Sequence, residues 1–99
     1  MSNDKVDAYA EKLAAEMKKI DATIQKMEAE QESAAADEKL KQKETLEELK
    51  QKRSDFEAKL DRLKNAGSAS LKELKKGAKT ARKELKKSLK SAASYFKTL

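Results

Sequence analysis

Apolar residues along the chain fall on two stripes that share a phase. Val6, Leu13, Ile20, Met27 and Ala34 recur every seven residues; Tyr9 opens a second row offset by three, and Met17 and Ile24 form a third offset by four. Rows spaced in this way line one side of a helix, as in a coiled-coil seam. Leu46, Leu49, Arg53, Phe56, Leu60 and Leu63 then alternate by three and four. From Met27 to Leu49 is 22 residues, two steps of eleven. Eleven residues make close to three helical turns, so the two stripes stay on one side of a continuous helix. The joining stretch, residues 31–39 (QESAAADEK), has three consecutive Ala and neither Gly nor Pro, and Ala is the strongest helix former. The pattern therefore predicts a single helix over 4–65, about 90 Å long. The alternative is a break near Ser33–Asp37, which gives segments 4–32, 37–65 and 70–97 and a three-helix bundle.

The clearest turn signal is Asn65-Ala66-Gly67-Ser68. Gly67 can take the left-handed conformation that ends a helix, and Ser70-Leu71-Lys72-Glu73 matches a capping box. The chain is expected to reverse at 66–69, which divides a single all-α unit into a coiled-coil helix (1–66) and a basic amphipathic helix (67–99, helical over 70–97). In the second helix, Lys72-Glu73-Leu74-Lys75-Lys76 recurs eleven residues later as Lys83-Glu84-Leu85-Lys86-Lys87. Leu71, Leu74, Ala78, Ala81, Leu85, Leu89, Ala92 and Phe96 fall within an arc of about 80°. An antiparallel hairpin would set this arc against Leu46, Leu49, Phe56, Leu60 and Leu63, with ion pairs from Lys86 or Lys90 to Glu44, Glu47 or Glu48. Such a hairpin covers only 37–65 and leaves Val6, Tyr9, Leu13, Met17, Ile20, Ile24 and Met27 bare. A bare apolar seam marks an interface, so the hairpin predicts a homo-oligomer that self-associates through this seam.

Composition narrows the function. The chain is 42% charged and 4% aromatic, with no Trp, Pro, Cys or His. That removes disulfides, thiolate nucleophiles, imidazole bases and zinc sites needing N or S ligands. Thin charged helices do not build the dry concave site that catalysis needs. No catalytic, cofactor or metal residue and no small-molecule substrate is predicted, and the chain is expected to be non-enzymatic. No apolar run approaches the roughly 20 residues needed to span a bilayer, and the N-terminus has no apolar signal core, so a cytoplasmic protein is expected.

Net charge is +6 and unevenly placed: residues 1–66 hold 14 basic and 16 acidic side chains, residues 67–99 hold 10 and 2. Lys72, Lys76, Lys79, Lys83, Lys86, Lys87, Lys90 and Lys97 form a candidate anion-facing set. Lysines beside an apolar stripe with eleven-residue periodicity suit an anionic membrane surface. Nucleic acid is the weaker alternative: phosphates could be met without sequence preference, but the helix has one Arg and no stacking or base-reading constellation.

Asp7-Ala8-Tyr9-Ala10-Glu11-Lys12-Leu13, the segment from Leu49 to Leu60 (LKQKRSDFEAKL) and Leu74-Lys75-Lys76-Gly77 occur here in that order. In this the chain resembles a family of small bacterial coiled-coil proteins induced by general stress, first noticed in cyanobacteria. The resemblance covers most of the chain. It implies a stress association, defines no molecular activity and supplies no catalytic residues. Family members often have an acidic or Trp-containing last helix, whereas this one is rich in lysine and lacks Trp.

Overall fold

The computed structural model describes residues 4–66 and 71–97. The long helix expected over 4–65 is interrupted. Helix α1 spans Asp4–Glu32, α2 spans Ala36–Lys64 and α3 spans Leu71–Ala93, and no strand occurs among the described residues. The three helices run up, down and up in a bundle of 52 × 18 × 16 Å. The pairs Asp21–Arg53 and Glu28–Lys50 place α2 antiparallel to α1, whereas Tyr9–Lys75 and Glu16–Arg82 place α3 parallel to it.

Local signals at the break are weak. The Ser33 and Ala34 amides donate to the Glu30 and Gln31 carbonyls at 3.2 Å, and the Ser33 hydroxyl adds a bond to the Glu30 carbonyl at 3.1 Å. Ala35 is extended (φ −63°, ψ 154°) and offers α2 no side-chain cap. Asp37 and Glu38 sit in the first turn of α2, where carboxylates complement the helix dipole. Tertiary packing decides the matter. Turning back buries Leu13, Met17, Ile20, Ile24 and Met27, each worth about 1.5–3 kcal/mol. Helix propensity over three residues amounts to a fraction of a kcal/mol each.

This packing corrects the assignment of those residues to a bare self-association seam. Met27 is 0% exposed and Leu13 1%, so the stripe lies in the core of its own chain. Tyr9 is half-buried against the same cluster; the Val6 side chain lies outside the described residues, as do Gly67 and the Ser70 cap. The hairpin residues Leu46, Leu49, Phe56, Leu60, Leu63, Ala78, Ala81, Leu85 and Phe96 are buried in that core too, and Leu71, Leu74 and Leu89 pack at its edge.

Helix α3 stops at Ala93 instead of 97. The Ser94, Tyr95 and Phe96 amides bond three residues back, and the Ser94 hydroxyl donates to the Ser91 carbonyl at 2.7 Å. The buried Gln42 amide nitrogen donates to the Tyr95 carbonyl at 2.9 Å, the Lys97 amide donates to the Glu30 carboxylate at 2.9 Å, and Phe96 turns into the core.

Gly77 lies inside α3 with no positive φ, and a Cβ built on it meets nothing within 4 Å. Glycine in a helix interior costs roughly 0.5–1 kcal/mol relative to Ala. Gly77→Ala is therefore expected to stabilise the bundle by that amount, read as a higher urea midpoint at unchanged m-value.

Candidate anion-binding face

The polar side of α3 is built by the same spacing that builds its buried side. With the arc through Ala81, Leu85 and Ala92 fixed in the core, Lys72, Lys75, Lys76, Lys79, Lys83, Lys86, Lys87 and Lys90 all fall within about 120° on the opposite side. All are exposed. No acidic residue interrupts the arc; Glu73 and Glu84 lie beside it, Glu84 facing Lys52 of α2 at 3.6 Å. From Lys72 to Lys90 the face is about 27 Å long.

Two of these lysines have partners. Lys75 sits over the Tyr9 ring at 4.9 Å. Lys86 approaches the Glu16 carboxylate of α1 at 3.9 Å, and among the described residues neither Lys86 nor Lys90 makes the expected pair with Glu44, Glu47 or Glu48 on α2. Among the described residues, Lys72, Lys76, Lys79, Lys83, Lys87 and Lys90 form no ion pair. Lysines at i and i+4 repel by a few tenths of a kcal/mol, and this face repeats that spacing from Lys72–Lys76 to Lys86–Lys90. Between the stems of Lys76, Lys79, Lys83 and Lys86 lies a shallow groove of about 490 Å³, edged by Thr80 and Arg82. Lys97 stands apart, past the helix end, beside Glu30.

Ion pairs that periodicity alone did not reveal tie the helices together, and one of them, Arg82 to Glu16, fixes the lysine face of α3 against α1. The Arg82 guanidinium donates to Glu16 through two of its nitrogens, Nε to Oε2 and Nη2 to Oε1, the latter at 2.9 Å. Arg53 does the same to Asp21, at 2.8 and 3.1 Å, and Lys50 reaches Glu28 at 2.9 Å. The available signal was residue type. Arg53 occupies a position in the second apolar row and Arg82 borders the apolar arc of α3. A planar fork suits half-buried carboxylate pairing where an ammonium does not.

The bond to Arg82, opposed by burial, holds the Glu16 carboxyl below its usual range, with the Arg82, Lys86 and Lys12 charges acting the same way. Asp21 and Glu16 in turn raise Arg53 and Arg82. A carboxyl lowered in the folded state adds stability above its unfolded pKa, about 4.3, and that stability fades as pH falls through the folded value. Arg82→Leu is expected to cost about 1–3 kcal/mol at pH 7. The gap to the parent should narrow in urea titrations carried progressively below about pH 4.

No family model, curated protein or solved structure matches this chain. Among the described residues, no helix is long and apolar enough to cross a membrane.

Proposed function

We propose that this is a non-enzymatic interaction protein that adsorbs to anionic membrane surfaces through the lysine face of α3. One observation carries this reading: six exposed lysines, without ion pairs among the described residues, share one face of a preformed helix. A lysine near an anionic bilayer is worth about 1 kcal/mol, and neutralisation also relieves the repulsion built into the face. The apolar side of α3 is occupied by the bundle, so binding is electrostatic and leaves that side in the core. A planar surface meets the whole face at once. The stress association implied by the sequence resemblance belongs to the same proposal.

Vesicles containing phosphatidylserine should sediment the protein at low salt and release it as the Debye length shrinks below about 10 Å. Pure phosphatidylcholine should not retain it, and helix content by circular dichroism should not change on binding. Absence of binding to anionic vesicles at low salt would defeat the proposal. A salt-dependent shift of duplex DNA under conditions where vesicles are ignored would transfer the face to nucleic acid.

A further inference from the structure

Residues 33–35 separate α1 from α2, yet nothing in them requires a turn. They are Ser-Ala-Ala, Ala35 supplies no side-chain cap, and no residue around them has positive φ. On a continuous helix, Leu13, Ile20 and Met27 would share an arc of about 40° with Leu49, Phe56 and Leu63. A hairpin makes no use of that agreement, because its loop can reset the rotation between two helices. A pair of long helices lying side by side requires it, because both halves of each must face the same partner.

We propose that two copies of this chain exchange α1. Residues 33–35 become helical, residues 4–64 form one helix, and each α1 packs on the α2 and α3 of the other copy. Antiparallel pairing of the long helices lets each α1 keep its packing against α2 and α3, at the loss of the turn bonds at 33–34. Asp21–Arg53, Glu28–Lys50 and Glu16–Arg82 form with unchanged partners, now between chains. A three-residue hinge is the kind of connection across which identical elements are exchanged. In the closed chain a short linker holds α1 at an effective concentration in the millimolar range, so exchange is favoured as the chain concentration approaches that value. The exchange is independent of anion binding.

The test is refolding from urea at micromolar and millimolar chain concentration, followed by light scattering on a sizing column. The expected result is an 11.1 kDa monomer accompanied by a species of twice that mass, whose share grows with refolding concentration. Ala35→Pro suits the closed chain, where φ is −63°, but Pro inside a helix costs about 3 kcal/mol. It should lower the dimerisation constant about a hundredfold or more while leaving a folded monomer. Ser33→Ala, which removes the hydroxyl bond to the Glu30 carbonyl, should raise it. Because the chain lacks Cys, Glu28→Cys with Lys50→Cys allows a short bis-maleimide to report connectivity. Exchange predicts covalent dimers on a denaturing gel from the dimer fraction. Monomer at every concentration, a dimer indifferent to Ala35→Pro, or links confined within single chains of that dimer would each overturn the proposal.

Discussion

Reversing Lys76, Lys83 and Lys90 to Glu is expected to abolish adsorption to anionic vesicles without unfolding the bundle. The three lie seven residues apart along the middle of the lysine face, are exposed, and belong to no ion pair among the described residues. Each loses about 1 kcal/mol of attraction and adds a repulsion of similar size. The combined effect is about 3 kcal/mol or more, so affinity falls roughly a hundredfold or further. The same changes place carboxylates three and four residues from Lys72, Lys79, Lys86 and Lys87, which should stabilise α3 by a few tenths of a kcal/mol per pair. A variant that melts at or above the parent temperature and no longer sediments with vesicles separates binding from folding. Retained affinity in that variant would remove the lysine face from the binding surface.

Phe56→Ala should be the most damaging single substitution to stability. Phe56 is 0% exposed and the largest of the fully buried side chains, which include Leu13, Met27, Leu49, Leu63 and Leu85. Removing a buried Phe side chain costs about 3–5 kcal/mol, combining lost transfer energy with the cavity left behind. Small domains have only about 5–15 kcal/mol in total, so the urea midpoint should fall steeply. Leu40→Ala is the matched control: Leu40 is 62% exposed, and its loss should stay within about 0.5 kcal/mol. Equal effects at the two positions would mean that Phe56 is not at the centre of the core.

The helices and their buried faces were legible in the sequence because each face repeats a spacing. The α3 arc from Leu71 to Phe96 and the rows from Leu46 to Leu63 follow from spacing alone. The connection at 33–35 was not, since Ser-Ala-Ala is as compatible with a helix as with a turn. What ends α1 there is burial of Ile20, Ile24 and Met27 far from the break, a gain that no local window contains. That the seam from Val6 to Met27 would lie bare followed from the long helix, whereas Leu13, Met17, Ile20, Ile24 and Met27 are buried within the bundle. The early end of α3 was hidden for a similar reason: Ser94 and Tyr95 leave the helix where Gln42 and Glu30, more than fifty residues earlier, offer partners to a carbonyl and an amide. The lysine face needed only the 3.6-residue period. The anchors of the bundle, Arg53 between α2 and α1 and Arg82 between α3 and α1, could have been found by asking why Arg appears at or beside stripe positions in a chain otherwise rich in Lys.

Gln42 has a consequence of another kind. Ala78, Ala81 and Ala92 make much of α3's buried side smooth, and a smooth interface gives little resistance to one helix sliding on its neighbour. Gln42, 3% exposed, donates to the Tyr95 carbonyl at 2.9 Å and to Glu30 at 3.3 Å. A slip of α3 by one turn, about 5.4 Å, would break the bond to Tyr95 and move Arg82 away from Glu16. The apolar contacts set how firmly the helices hold together, and this amide, with the Arg82–Glu16 pair, sets the register at which they do so.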